Sequence, residues 1–440
     1  MPVTPVQDFM SAVRYSFINY RKWLQPMAID FSLSHEQRQL QLQCRKFAQQ
    51  VLADGIKFEA LATPEERFLA TKPTYEAIVA AGYLRKIIPV PAGGDCAGFM
   101  DMAILAEEFY SVNPSISLTL MGTVLGLLPI LLGGTPEQAK RLLAPFLKTS
   151  GAPLAGFCFS EPGGSANADS PPPGEGVRTT AELVGENWVI NGRKKWVSSA
   201  TGWDRSGADV LTVVCRTEAR SPQNSGISII AVEAPSEGIK FERAIDAVGH
   251  RAHLLPQWSF KDVSAPRANL LGRQGDGLAL VTGAFTGTAA MVGIFGVALM
   301  RAAFDFCLNF AKVEKRGGVQ PIIDHQAVGY ALADAKTAIE VARSLCWRAC
   351  HALDAQSPAA EELAVQAKIF GSETAVRVII ELMRVVGIDS YDHEAPLGRL
   401  LQDALVLPLF DGGNMGVRRR QLHAMLMQPE YDALAASAGN

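Results

Sequence analysis

The sequence predicts an α+β protein built in three successive parts: a helical region, a β barrel or sandwich, and a helical bundle. Three observations predict it. Helical spacing of apolar residues runs from Phe31 to about Thr149. Between about Gly151 and Leu271 it gives way to short β-type runs separated by turn residues. After Leu271 the 3.6-residue period returns and holds to the end. The expected division is 31–150, 151–272 and 273–440, behind an extension at 1–30. At 440 residues and 48% hydrophobic content the chain is long enough for two or three packed cores, and it shows no internal repeat.

A formal net charge of −3 gives no sign of nucleic acid or an anionic membrane as the main partner; a small-molecule substrate is expected. The seven cysteines are scattered, with no CxxC pair and no zinc spacing, and read as core filler in a reducing compartment, the cytoplasm. In the extension, Arg14, Arg21 and Lys22 among aromatics have the look of a weak organelle presequence. Asp8 departs from that pattern, and Met27 stands where a second start would.

In the first part, Ser34 to Ala53 reads as a helix opened by the capping box Ser34-His35-Glu36-Gln37. Further helices are expected at Thr74 to Ala81, Met100 to Tyr110, Ile116 to Leu132 and Glu137 to Leu147. Ile116 to Leu132 is almost wholly apolar, but it is short for a membrane span and holds Pro129, so a buried helix is the better reading. In the second part, strands are expected at Leu154 to Ser160, Thr179 to Val184, Asn187 to Asn191, Asp209 to Arg216, Gly226 to Glu233 and Gln257 to Val263. Val184-Gly185-Glu186-Asn187 and Asn191-Gly192-Arg193 carry hairpin-turn chemistry. In the third, Leu278 to Met300 has no charged residue, which meets the criterion for a span; its glycines (Gly283, Gly287, Gly293, Gly296) fit close helix packing equally well. A central buried helix is expected, followed by long helices at His325 to Ala355 and Ala360 to Val386.

Near the end, Leu405 to Ala424 reads LVLPLFDGGNMGVRRRQLHA. An apolar run stops at Asp411, two glycines follow, and Asn414 stands where it caps a helix carrying Arg418, Arg419 and Arg420. Such a turn offers Asp411 as a base, held ionised by the helix end and the arginines. The same letters also describe an ordinary turn with a solvated basic face.

Four stretches in order resemble the acyl-CoA dehydrogenase superfamily over nearly all of Phe31 to Met427, and within it the nitroalkane oxidases. They are Phe157-Cys158-Phe159-Ser160-Glu161-Pro162-Gly163-Gly164-Ser165, Asn191-Gly192-Arg193-Lys194-Lys195-Trp196-Val197-Ser198-Ser199, Arg316-Gly317-Gly318 with Gln326 following, and the Asp411 loop. The resemblance implies a helical N-terminal domain, a middle β domain and a C-terminal four-helix bundle around FAD. It implies that Phe159, Ser160 and Ser165 line the flavin, that Trp196 walls the ring, and that Ser198 reaches N5 or the ribityl chain. Arg316 and Gln326 would reach the FAD diphosphate of a neighbouring subunit in a homotetramer, with Gly387 from a partly kept glycine motif and Asn414 as further cofactor contacts.

The family commonly carries Glu in a matching Tyr-Glu-Gly-Thr loop, where this chain has Phe410-Asp411-Gly412-Gly413. Asp is shorter by one methylene, ~1.5 Å, and a misplacement of about 1 Å costs on the order of a hundredfold in rate. The nitroalkane oxidases resemble this chain in having Asp here, with Arg seven residues on. The resemblance implies that Asp411 removes the α-proton of a neutral nitroalkane and that Arg418 holds it through paired bonds. Thr288 falls at the position of a serine bonded to the base. Nitrite would leave, an aldehyde or ketone form, and oxygen return the flavin with release of hydrogen peroxide. Two other readings stand beside this one: an acyl-CoA dehydrogenase-like desaturase or N-hydroxylating monooxygenase of a biosynthetic pathway, and a non-catalytic scaffold.

Overall fold

The computed structural model describes residues 32–170, 173–218 and 226–438, so the expected extension at 1–30 lies outside the described residues. The chain divides into a short N-terminal unit, Met1–Arg38, and one large unit, Gln39–Asn440. In the short unit the capping box forms. The Gln37 amide donates to Ser34 Oγ at 3.1 Å, and the Ser34 amide donates to Gln37 Oε1 at 3.0 Å.

Among the described residues, six α-helices precede the sheet: α1 His35–Phe47, α2 Pro64–Ala70, α3 Lys72–Ala80, α4 Phe99–Tyr110, α5 Pro114–Gly133 and α6 Pro136–Leu142. The expected first helix loses α geometry early, passing through a π turn at Ala48–Leu52 into a 3₁₀ stretch at Ala53–Ala60. Helix α2 was not expected. A Pro after Thr63 starts it, and Thr63 and Glu66 form a second capping box.

Eight strands follow among the described residues: β1 Ala155–Cys158, β2 Thr180–Val184, β3 Asn187–Lys195, β4 Val210–Arg216, β5 Ile227–Glu233, β6 Ile239–Ala244, β7 Pro256–Pro266 and β8 Leu270–Leu271. They form one mixed sheet in the order β6-β7-β3-β2-β4-β5-β8, with β1 parallel to β4. Val184 pairs with Asn187, so the Gly185-Glu186 turn is the expected hairpin. Asn191-Gly192-Arg193 is not a turn. It lies inside β3 as a bulge, where the register shifts between Ile190 and Gly192 and a Cβ on Gly192 would lie 2.7 Å from Thr179 Cα. Strand β6 went unread because its alternation, Ile-Lys-Phe-Glu-Arg-Ala, is mostly polar.

The third part holds α7 Gly277–Val313, α8 Gln326–Asp354, α9 Ala360–Val386, α10 Pro396–Leu405, α11 Arg419–Leu426 and α12 Ala435–Ala438. Helices α5 and α7 are long and apolar enough to cross a membrane by length and composition. Here both are packed inside the fold: Ser115 to Val124 of α5 is buried, and Ala289 to Met300 of α7 is buried without a break. The glycines do the packing. A Cβ on Gly293 would lie 2.6 Å from Cys346 Sγ on α8 and 2.7 Å from Ala367 O on α9, and one on Gly296 would lie 2.4 Å from Gly371 O. This close crossing joins α7 and α9, the helices that carry Thr288 and Lys368. All seven cysteines are buried free thiols.

Candidate active site

The base loop leaves α10 and turns back over α9. Asp411 has φ 52°, Gly412 82° and Gly413 32°, three successive residues in the left-handed region, which is uncommon for a residue with a Cβ and which aspartate tolerates better than most. The Asn414 amide closes the turn on Pro408 O at 2.8 Å, and Arg418 Nε donates to Asp411 O at 3.1 Å.

The Asp411 carboxylate is buried. Thr288 Oγ1, on α7, lies 3.0 Å and 3.1 Å from its two oxygens, close enough to donate to either. Arg418 contributes a single contact, Nη2 to Oδ2 at 3.4 Å, and spends its other donors on Phe285 O at 2.8 Å and Gln421 Oε1 at 3.1 Å. The expected paired bonds to the carboxylate are therefore absent: the guanidinium staples the loop to α7 as much as it binds the base. The surroundings also shift the Asp411 carboxyl. Burial pushes the carboxyl above its ordinary value, and Arg418, Lys368 and the Thr288 hydroxyl pull it only part of the way back. A raised pKa makes the carboxylate a stronger base.

Asn414 has another task than capping or cofactor binding. Its amide is turned into α9, where Oδ1 accepts from Lys368 at 2.7 Å and Nδ2 donates to Ser372 Oγ and Glu373 Oε1, both at 3.0 Å. The helical segment starts instead after Gly412, which has a positive φ, and without a side-chain cap.

A second group of expected residues meets this loop. The Phe159 ring lies 5.6 Å from that of Phe285, and the Arg418 guanidinium lies 5.9 Å from Phe285 on α7. Arg420 donates to Ala166 O at 2.7 Å and Asn167 Oδ1 at 3.2 Å, tying the loop after β1 to α11. Ser160 and Ser165 face one another at 3.4 Å, and the Lys195 amide donates to Ser160 O at 2.9 Å, which brings the Trp196 stretch alongside. Strand β3 ends at Lys195, and Trp196 takes φ 68°. Trp196 is 48% exposed, whereas Trp188 and Trp258 in the sheet are buried. Ser198 is half-buried beside Gly122 of α5, where a Cβ would come within 2.7 Å of the serine. An outward-facing indole, three half-buried hydroxyls and a phenylalanine edge leading to the base fit a flat heteroaromatic ring.

Arg316, Gln326 and Gly387 form no part of this assembly. Arg316, with φ 50°, pairs with Asp389 at 2.7 Å and with Val386 O, beside Gly387. Gln326 donates to Tyr330 on the exposed start of α8. From Thr288 to the end of α7 at Val313 is about seven turns, roughly 37 Å at 1.5 Å per residue.

Sequence reasoning missed Phe285, Gln421 and Lys368. It also missed Lys194, whose buried ammonium donates to Glu161 at 2.9 Å, Val214 O at 2.7 Å and Phe159 O at 3.2 Å, fixing the end of the β1 segment. Burial works against the Glu161 charge, but Lys194 and bonds from Thr179 and Arg178 outweigh it and hold the carboxyl below its usual value. The available signal was a lysine amid apolar neighbours, Lys368 four residues after Ala364 and four before Ser372 on one helix face.

Fold and site together define a flavoenzyme of known architecture. The acyl-CoA dehydrogenase N-terminal, middle and C-terminal domain families match residues 34–150, 156–263 and 275–427, and the chain belongs to the acyl-CoA dehydrogenase family of flavoproteins. It is 42% identical over 94% of its length to the whole of a nitroalkane oxidase of Podospora anserina. The solved structure of the Podospora anserina enzyme covers 93% of the chain and 99% of its own at TM-score 0.89 and 41% identity. A nitroalkane oxidase whose active-site aspartate was changed to asparagine, crystallized with 1-nitrooctane, matches 94% of the chain and 100% of its own at 35% identity and TM-score 0.89. The human mitochondrial short-chain specific acyl-CoA dehydrogenase is 30% identical over 89% of the chain and 91% of its own length.

Proposed function

We propose that this protein is an FAD-dependent oxidase of neutral nitroalkanes in which Asp411 is the base. The observation that carries the reading is the short carboxylate itself: buried, gripped by Thr288 and Arg418, and raised in basicity by its surroundings. Asp411 and Arg418 stand seven positions apart, as do the aspartate and arginine whose roles were analysed in a related flavoprotein nitroalkane oxidase. FAD, when bound, accepts the electron pair that the carbon gains when it loses its proton.

The rest belongs to this chain. Asp411 takes the α-proton; Thr288 and Arg418 keep its oxygens aimed and stabilise its charge until it does. Phe159 and Phe285, with ring centroids 5.6 Å apart, supply an apolar edge beside the Arg418 guanidinium. In balance, nitroalkane, oxygen and water give an aldehyde or ketone, nitrite and hydrogen peroxide. Phe159, Ser160, Ser165, Trp196 and Ser198 would hold the ring. The separation of Arg316, Gln326 and Gly387 from this pocket supports their serving the FAD of a neighbouring subunit, and hence a homotetramer.

The likeness to short-chain acyl-CoA dehydrogenase sustains a second reading, a desaturase of acyl thioesters. Anaerobic mixing of the holoenzyme with neutral nitroethane or with butyryl-CoA separates the two. Bleaching of the flavin band by nitroethane, with nitrite and peroxide once air is admitted, is expected; bleaching by the thioester alone would overturn the proposal.

A further inference from the structure

Lys368 is wholly buried in the middle of α9, next to the α7 crossing. A buried ammonium costs several kcal/mol unless it is well paired. Neither of its hydrogen-bond acceptors is a carboxylate. Nζ donates to Asn414 Oδ1 at 2.7 Å and to Leu407 O at 3.3 Å. Those two points lie on either side of Asp411, so a single side chain ties down both ends of the left-handed turn. The charges acting on it are Asp411 from the loop, Arg418 from the following turn and Glu373 from its own helix. Glu373 is in turn engaged by Arg419 of α11 at 2.6 Å. Burial brings the lysine down to about 8, with Asp411 opposing the fall, so the ammonium form prevails at neutral pH.

We propose that Lys368 is a positioning residue for Asp411, clamping both ends of the base loop and lending the buried carboxylate a second positive charge without touching it. The proposal rests on the reading of Asp411 as the base. Its sign is fixed: removing the lysine charge favours the neutral carboxyl, so Asp411 would hold its proton to higher pH and be less available as a base in acid. Thr288 and Arg418 position the carboxylate by contact, whereas Lys368 acts through the loop and through charge.

The test is an infrared titration of the holoenzyme, with the Asp411 carboxyl band identified by its loss in Asp411→Asn. In Lys368→Met that band should titrate about one pH unit higher, and in Lys368→Arg near the wild-type position. The acid limb of kcat/KM for neutral nitroethane should move by the same amount, while anaerobic flavin reduction by preformed nitronate stays within about twofold. Lys368→Gln keeps a donor for Asn414 and lacks the charge, and serves if the methionine variant fails to fold. An unmoved band in a folded, flavin-loaded variant, or equal loss with both substrate forms, would make Lys368 a packing residue and overturn the proposal. A moved band in an enzyme whose flavin nitroethane never bleaches would keep the positioning role and refute the substrate.

Discussion

Asp411 is buried in a left-handed turn, and three groups oppose the cost of its charge: the Arg418 guanidinium, the Lys368 ammonium and the Thr288 hydroxyl. Of these Thr288 is the cleanest to remove, because its hydroxyl lies at hydrogen-bond distance from both carboxylate oxygens and its methyl needs no partner. Thr288→Ala should raise the Asp411 pKa further and lower kcat/KM for neutral nitroethane about tenfold at neutral pH, the equivalent of one hydrogen bond to a charged group. Thr288→Ser should restore most of it. The pH profile checks the cause: its acid limb moves up in the alanine variant and returns in the serine variant.

At this scale the sequence was readable where a residue type has one use. An aspartate before two glycines, an arginine seven residues on, and a serine-bearing strand end all mark chemistry. It was unreadable where a residue has several: Asn414 looks like a cap and is an anchor into α9, and Arg418 looks like a paired partner and is mostly a staple to backbone oxygens.

Among elements, the crossing of α7 and α9 matters most to the site, since one carries Thr288 and the other Lys368. It depends on backbone contact: a Cβ on Gly371 would lie 2.8 Å from Gly293 Cα and from Gly293 O. Gly371→Ala should therefore force the helices apart, costing about 1–3 kcal/mol of stability by denaturant unfolding and loosening the loop above it. The glycine-rich run 278–300 was legible as close packing from composition, but its partner was not, because nothing in a single helix names the helix it crosses. Turn chemistry was legible at Gly185 and misleading at Gly192, where the same kind of letters, Asn-Gly, serve a bulge.

At the scale of the whole molecule a buried polar seam joins α4, α5, the loop at 248–254 and α10. Tyr110 meets His250, Thr119 lies 2.9 Å from His253 Nδ1, and the His250 amide donates to Asp403 at 2.5 Å. Burial pushes both histidines down to about 3 and Asp403 up to about 6. An unfolded chain takes protons on these histidines below about pH 6.5 while the folded one does not, so stability falls as pH drops from there toward 3. Asp403 acts in the opposite sense between about 6 and 4, and two histidines outweigh it. His253→Gln should flatten the acid side of the stability curve measured by urea unfolding at pH 4 to 7; an unchanged slope would show the histidine to be charged in the fold.

Assembly also belongs at this scale. If Arg316 serves a neighbour's FAD, Arg316→Ala should lower flavin retention on dilution and gel filtration by severalfold, while leaving the Asp411 pocket of flavin-loaded enzyme active. The order helix, sheet, helix was legible across the described residues, but which residues share a pocket was not. Arg316 and Asp411 sit in motifs of equal clarity, and only the length of α7 separates them.

The central claim is that Asp411 removes a proton from a neutral nitroalkane. It is tested most directly by following flavin bleaching anaerobically in wild type and Asp411→Asn, with neutral nitroethane and with its preformed nitronate. The variant should lose roughly a hundredfold or more with the neutral form, the usual worth of a positioned base, and stay within a few-fold of wild type with the nitronate. Equal loss on both forms, or full activity on the neutral form, would mean that Asp411 is not the base.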